Sequence, residues 1–102
     1  MSTQEAIKEM INSADVFLFM KGEKDMPMCR FSATVTSILN RLEVEYNTFD
    51  ILQDMDIREG VKQFTNWPTY PQLYVKGEFV GGCDIIVEMM NKGELESVVK
   101  PS

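Results

Sequence analysis

Apolar positions in the first third of the chain change from helical spacing to a continuous run. Ala6, Ile7, Met10 and Ile11 recur at helical intervals, which predicts a helix capped by Thr3. Residues 16–20, Val-Phe-Leu-Phe-Met, are apolar throughout, which is typical of a strand buried on both faces of a sheet. Glycine and proline then interrupt residues 21–28, so this segment is predicted to be a loop.

The same alternation continues through the middle of the chain. After the loop, an apolar stripe at helical spacing predicts a second helix. The stripe consists of Phe31, Val35, Ile38, Leu39 and Leu42. Residues 46–51 are typical of a second strand, and residues 55–64 of a third helix with its apolar side chains on one side.

The last third of the chain predicts a hairpin followed by helices. Residues 72–75 and 78–80 flank Lys76-Gly77, a pair that suits a two-residue turn between antiparallel strands. Two glycines end the hairpin, a helix opens at Asp84, and a short helix covers residues 94–99.

This order of elements predicts a fold class. A helix links the first two strands, which makes them parallel and joined by a right-handed crossover, and the hairpin adds an antiparallel pair. The prediction is an α/β protein with the thioredoxin fold, a mixed four-stranded sheet with helices on both faces. A chain of 102 residues is enough for one domain, 1–102.

Composition and charge exclude several classes of function. The net charge of −6 argues against a nucleic-acid partner, because such proteins carry basic surfaces. The absence of histidine excludes a histidine base, a Ser-His-Asp triad and a histidine metal ligand. No apolar run approaches the roughly 20 residues that span a bilayer, so no membrane partner is expected. The 2 cysteines fit a reducing compartment; the cytoplasm is expected, with the mitochondrial matrix after transit-peptide removal as the alternative.

Cys29 is the strongest candidate for chemistry. It stands between the predicted loop and the start of a helix, away from the apolar stripe. A helix N-terminus presents free N–H groups and partial positive charge, which favour the nucleophilic thiolate over the thiol. The alternative is a buried, inert cysteine, and the position of Cys29 argues against it.

The position of a second redox cysteine is occupied by Ser32, three residues after Cys29. A hydroxyl cannot resolve a mixed disulfide, because resolution requires an attacking thiolate. Cys29 therefore needs a thiol from glutathione, from another chain or from Cys83.

Two later segments carry weaker signals. Base rates favour a trans bond between Tyr70 and Pro71. In Gly81-Gly82-Cys83-Asp84 the glycines allow a ligand to approach the backbone closely. Asp84 is expected to cap the following helix, to accept from a ligand ammonium, or to do both.

Two cations complete the candidate set. Lys21 and Arg58, taken singly, are most simply solvated surface charges. Together with Asp84 they suit a zwitterionic peptide that has carboxylates at one end and an ammonium at the other.

These segments resemble the monothiol glutaredoxins from about residue 16 to residue 99. The Trp-Pro-Thr-x-Pro-Gln stretch and its spacing to Gly-Gly-Cys-Asp are highly specific. The matching stretches are Phe19-Met20-Lys21-Gly22, Pro27-Met28-Cys29, Phe31-Ser32, Asn66 to Gln72 and Gly81 to Ile85. The resemblance implies the thioredoxin fold with Pro71 in the cis form.

The resemblance also implies a glutathione site. Lys21 and Arg58 would meet carboxylates, Asp84 would hold the γ-glutamyl ammonium, and residue 70 would offer main-chain hydrogen bonds to the cysteinyl unit. The implied glutathione-binding set is Lys21, Arg58, Thr69, Tyr70, Pro71, Gly82, Cys83 and Asp84.

A [2Fe–2S] cluster shared between two subunits is implied as well, with Cys29 as the metal ligand. Such a cluster takes four thiolates, and two copies of Cys29 with two glutathione thiols supply them. The family acts in iron–sulfur cluster storage and transfer. The implied partners are a second copy in a cluster-bound homodimer, BolA-like proteins and iron–sulfur client proteins.

The chain departs from the family at Arg30, which replaces the glycine of the usual Cys-Gly-Phe-Ser motif. Arginine adds bulk and charge beside the sulfur, so we expect an altered cluster lifetime or a bias toward thiol exchange. Cys83 matches the family, in which it is usually not a cluster ligand, and a regulatory disulfide with Cys29 stays open.

Three functions remain, in order of expectation. The first is a glutathione-ligated cluster carrier, which Arg30 weakens. The second is an enzyme, a glutathione-dependent thiol–disulfide oxidoreductase that removes glutathione from mixed disulfides through Cys29. The third is a redox-sensing adaptor with little activity of its own.

Overall fold

Helices and strands make up most of residues 1–100, the part of the chain that this computed structural model describes. The strands are β1 (Val16–Met20), β2 (Gly22–Glu23), β3 (Met26–Pro27), β4 (Asn47–Asp50), β5 (Gln72–Val75) and β6 (Glu78–Gly81). The helices are α1 (Thr3–Ile11), α2 (Arg30–Arg41), α3 (Met55–Thr65), α4 (Cys83–Asn91) and α5 (Leu95–Val99), with a short 3₁₀ helix at Ile51–Gln53.

The main sheet has four strands in the order β4-β1-β5-β6. Strand β1 is parallel to β4, which follows it through α2, and antiparallel to β5. The β5–β6 hairpin turns at Lys76 and Gly77, both with positive φ (52° and 80°), as a two-residue hairpin turn requires. The predicted mixed sheet and its hairpin are confirmed.

The side chains of β1 alternate between two cores, one on each face of the sheet. Val16, Leu18 and Met20 pack with buried residues of α2, α4 and α5. Phe17 and Phe19 pack with buried residues of α1 and α3. All five side chains are buried, which explains the continuous apolar run and confirms helices on both faces.

Three local predictions are wrong. The N-cap of α1 is Ser2, not Thr3, because Ser2 has Glu5 three residues later and the two close a capping box. Phe31 is 45% exposed, since the first turn of α2 lies at the edge of a cleft and the stripe meets the core only from Val35 onward. Residues 21–28 are not a plain loop, because β2 and β3 pair within them as a short antiparallel ribbon.

Within residues 1–100, no helix has both the length and the apolar character that crossing a bilayer needs.

Candidate functional site

A cleft of about 520 Å³ lies beside the start of α2, the side of α3, the segment 67–70 and the start of α4. Eight of the nine predicted site residues line it: Lys21, Cys29, Arg58, Thr69, Tyr70, Gly82, Cys83 and Asp84. The ninth, Pro71, is buried behind the lining, and its carbonyl oxygen faces Gly82. The structure therefore brings together residues that are up to 63 positions apart in sequence (84 − 21).

Cys29 is the N-cap residue of α2, with extended backbone angles (φ −150°, ψ 137°). Its sulfur makes no capping hydrogen bond, its thiol is free, and the residue is half-buried at the cleft. The Cys29 side chain is therefore not engaged in capping the helix and is available at the cleft.

Ser32 has a structural role one turn further along α2. Its side chain is completely buried (0% exposed), and its Oγ accepts a hydrogen bond from the Lys21 N–H at 3.1 Å. This bond joins the end of β1 to α2, at the position that a second redox cysteine occupies in other proteins. Ser32 therefore positions Lys21 instead of reacting.

The β2–β3 ribbon brings Lys21 and Cys29 to the same cleft. The Met28 N–H donates to the Lys21 carbonyl at 2.8 Å, and Asp50 Oδ1 accepts from the Gly22 N–H at 2.9 Å. Gly22 has φ +88°, and a Cβ there would lie 2.5 Å from the Met28 nitrogen. Only glycine fits this close return of the chain.

The peptide bond between Tyr70 and Pro71 is cis, as the resemblance implied and against the base rate. The Tyr70 hydroxyl donates to the Arg58 carbonyl at 2.6 Å, which ties the segment before Pro71 to α3. Burial raises the pKa of Tyr70, so the phenol remains protonated and keeps this bond across the neutral range. Thr69, next to it, is exposed.

Gln72 holds the same segment from behind. Its side chain is completely buried (0% exposed), and its Nε2 donates to the carbonyls of Trp67 (3.1 Å) and Thr69 (3.2 Å). Its Oε1 accepts from the Tyr74 hydroxyl at 2.9 Å and lies 3.2 Å from the Thr65 hydroxyl. Gln72 does not line the cleft, yet it sets the shape of the main chain that does.

Trp67 and Gly82 meet at the floor of the cleft. A Cβ on Gly82 would come within 3.2 Å of Trp67 Nε1 and 3.4 Å of the Pro71 oxygen, so the glycine permits this approach. The indole packs against Phe79, with ring centroids 5.5 Å apart. Its Nε1 is buried and has no hydrogen-bond partner within residues 1–100.

The start of α4 corrects the sequence interpretation of Asp84. Helix α4 begins at Cys83 with Gly82 as its N-cap, so Asp84 lies in the first turn and does not cap the helix. Its exposed carboxylate is therefore available to a ligand at the cleft. Burial, and then the nearby Asp84 and Cys29, raise the pKa of the Cys83 thiol. Both cysteines are free.

The cleft concentrates positive charge on an acidic protein. Lys21, Arg58 and Lys62 line it with Asp84, an excess of two positive charges (3 − 1) where the whole chain has −6. Lys62 was missed by the sequence analysis. Its position one helical turn after Arg58 was the signal that could have found it.

Four further lining residues were also missed as site residues: Phe31, Trp67, Pro68 and Ile85. Two of them, Trp67 and Pro68, belong to the distinctive Trp-Pro-Thr-x-Pro-Gln stretch. Within residues 1–100, no three His, Cys, Asp or Glu side chains cluster so as to hold a metal ion.

Comparison with known proteins shows the family to which this chain belongs. A sequence profile of the glutaredoxin family matches residues 16–80. A probable monothiol glutaredoxin of Rickettsia typhi is 52% identical over 94 residues, which cover 92% of this chain and 85% of that protein. The chain belongs to the glutaredoxin family. Ser32 stands three residues after Cys29, where a second redox cysteine would be. Together with the similarity to this monothiol glutaredoxin, it identifies the chain as a glutaredoxin of the monothiol type.

One longer relative matches this chain over only part of its own length. Glutaredoxin 3 of Danio rerio is 50% identical over 99 residues, which cover 97% of this chain and 30% of that protein. The chain thus spans less than a third of that relative's length. The solution structure of reduced poplar apo GrxS14 has a TM-score of 0.83 at 45% identity and covers 94% of this chain and 88% of that one. The thioredoxin fold is confirmed.

Proposed function

We propose that this glutaredoxin binds glutathione in the cleft and, as a pair of subunits, carries a [2Fe–2S] cluster for storage and transfer. The observation that carries the proposal is the convergence of a half-buried thiol, three cations and one carboxylate on a single cleft. Glutathione has two carboxylates, one ammonium and one thiol, so its groups match these residues in kind.

Charge and shape suggest how the peptide lies. Lys21 and Arg58 bind its carboxylates, with Lys62 as an added cation, and Asp84 accepts from the γ-glutamyl ammonium. The main chain at Tyr70 pairs with the cysteinyl unit as an added strand would. This orientation brings the glutathione sulfur toward Cys29, because the cysteinyl unit is in the middle of the peptide.

The cluster is cargo held by thiolates. Four are needed, and Cys29 of each subunit with one glutathione thiol from each cleft supplies them. Cys29 suits this role because its sulfur stands at the cleft without a hydrogen bond to the helix. A cluster-bound homodimer, BolA-like proteins and iron–sulfur client proteins are the proposed partners. The proposed location is a reducing compartment, the cytoplasm or alternatively the mitochondrial matrix.

A second candidate function is glutathione-dependent thiol–disulfide exchange, favoured by the exposed cation Arg30 next to Cys29. The Cys29 thiolate attacks the glutathione sulfur of a mixed disulfide. The old S–S bond breaks, and the partner leaves as a thiolate that takes up a proton. Free glutathione then attacks the Cys29–glutathione disulfide, which regenerates Cys29 and releases oxidised glutathione.

Anaerobic reconstitution with iron, sulfide and glutathione tests the carrier function. We expect a brown dimer with one cluster per two subunits, and no such dimer without glutathione. Visible absorption and circular dichroism report the cluster, and size exclusion reports the dimer. A colourless monomer would contradict the carrier function and favour thiol exchange. In the same assay Arg30→Gly is expected to lengthen the cluster lifetime, because it restores the family's glycine.

A further inference from the structure

Arg30 is held at the mouth of the cleft by an aromatic ring. It is the first residue of α2, directly after Cys29, and it is exposed. Its guanidinium carbon lies 5.1 Å from the centroid of the Phe31 ring, a distance at which a cation and a ring attract each other. Phe31 itself lines the cleft. The charge is therefore oriented beside the reacting sulfur.

Arg30 has no carboxylate partner within residues 1–100. Within residues 1–100 the ion pairs are Lys62–Glu59 and Lys92–Glu88, and Arg30 belongs to neither. It stands at the N-terminal end of α2, where the helix dipole disfavours a cation. Its charge is therefore available to an anionic group on a molecule that approaches Cys29.

The proposed glutathione site leaves Arg30 unassigned. The carboxylates and the ammonium of glutathione are matched by residues that line the cleft, whereas Arg30 lies outside that lining. A mixed disulfide has a second half, the partner polypeptide, whose cysteine sulfur is bonded to the glutathione sulfur and whose flanking residues extend outside the cleft. Arg30 is placed to meet that half.

We propose that Arg30 makes this glutaredoxin selective for glutathionylated cysteines that have Asp or Glu beside them. The proposal rests on the exchange function of Cys29 given above. A guanidinium binds a carboxylate through two parallel hydrogen bonds, and Phe31 limits the directions that the guanidinium can take. When Cys29 attacks the glutathione sulfur, the acidic residue beside the leaving partner thiolate stays paired with Arg30, and no other reactant is required.

Three glutathionylated peptides, identical except for Glu, Gln or Lys beside the cysteine, test the proposal. The measurement is the second-order rate constant for transfer of the glutathionyl group to Cys29, with the site verified by mass spectrometry. We expect the full chain to prefer the Glu peptide over the Lys peptide by about tenfold, and this ratio to fall as salt increases.

Variants of α2 separate local recognition from net charge. Arg30→Gln should bring the ratio near one, and Arg30→Lys should keep part of it because the charge remains. Arg41→Gln is the matched control, since Arg41 is exposed at the other end of the same helix and its loss changes the net charge equally. Phe31→Leu should lower the ratio, because the guanidinium loses the ring that orients it.

Several outcomes would overturn the proposal. A ratio that survives Arg30→Gln, or that Arg41→Gln removes equally, would show that Arg30 does not recognise the partner. If Arg30→Gln lowers the rate constants of all three peptides by the same factor, Arg30 acts on the reaction at the sulfur and not on partner recognition. If no peptide reacts although calorimetry shows that glutathione still binds, the exchange function itself is contradicted, and this inference falls with it.

Discussion

The two sides of the cleft are built in different ways. The cysteine side, residues 21–31, presents side chains: the Cys29 sulfur makes no capping hydrogen bond to its helix, and Arg30 and Phe31 are exposed. The loop side, residues 66–72, presents main chain whose carbonyls are held by the buried amide of Gln72. Substitution of a single exposed residue can thus change reactivity on the cysteine side. The main-chain conformation of the loop side depends instead on Gln72, which lies outside the cleft lining.

The first prediction concerns the cysteine side and has the largest effect. Cys29→Ser should bind no cluster and accept no glutathionyl group, because a hydroxyl neither ligates iron as a thiolate does nor exchanges with disulfides. Its free energy of unfolding should change by less than about 0.5 kcal/mol, since the sulfur makes no capping hydrogen bond and no disulfide. Visible absorption after reconstitution and urea unfolding provide the measurements. A full cluster on this variant would contradict the ligand role of Cys29.

The second prediction concerns the loop side, where activity and stability should change together. Gln72→Leu leaves the carbonyls of Trp67 and Thr69 without their donor, so the free energy of unfolding should fall by about 1–3 kcal/mol. Glutathione should also bind more weakly, although Gln72 lies outside the cleft lining. Urea unfolding and calorimetry test both effects.

The control for Gln72→Leu is Gln63→Leu, the same change at an exposed position of α3. It should leave glutathione affinity unchanged. Unaltered affinity in Gln72→Leu, alongside a real loss of stability, would show that the loop keeps its shape without the amide. The conformation of the loop side would then not depend on a residue outside the cleft lining, and the contrast with the cysteine side would be lost.

The third prediction uses pH to weaken the hydrogen-bond network that supports the loop side. Burial raises the pKa of Tyr74 from its ordinary 10.0 to about 12, so the folded state holds this proton more tightly than the unfolded state. The resulting stability is fully present below pH 10 and is lost as the pH rises through about 12. The free energy of unfolding should therefore fall between pH 9.5 and about pH 11.5, by roughly 1–2 kcal/mol from this group.

Tyr74→Phe is the comparison for the alkaline effect. It removes the titrating phenol, so its free energy of unfolding should decline less steeply over the same interval. The slope is compared rather than the absolute stability, because the variant also loses the bond to Gln72. Parallel slopes in the two proteins would show that Tyr74 titrates alike in the folded and unfolded states.

The place of Cys29 at the start of a helix was predictable from the sequence, whereas the side chains that support the loop side were not. An apolar run such as β1 suits a buried strand, and Cys29 between a loop and a helix follows from local spacing. A buried glutamine looks like a surface residue in sequence, so the network of Gln72 was invisible. The cis bond at Pro71 opposed the base rate and came only from the resemblance.

Periodicity also misplaced residues at the cleft edge. Phe31 fits the apolar stripe of α2, but helical spacing does not reveal where a helix extends beyond the sheet it covers. The same lack of tertiary information hid Lys62, because one turn of separation from Arg58 places it on the same face without showing what that face meets.

The smallest predicted effect tests whether Lys62 belongs to the cleft that joins the two sides. Lys62 pairs with Glu59 at 3.1 Å, and Lys92 pairs with Glu88 at 2.8 Å, so Lys62→Gln and Lys92→Gln break comparable surface pairs. Only Lys62 lines the cleft. Lys62→Gln should therefore raise the dissociation constant for glutathione by about two- to fivefold at low salt, and Lys92→Gln should leave it unchanged. Equal effects in calorimetry would assign both to the overall charge of the protein instead of to contact with the peptide.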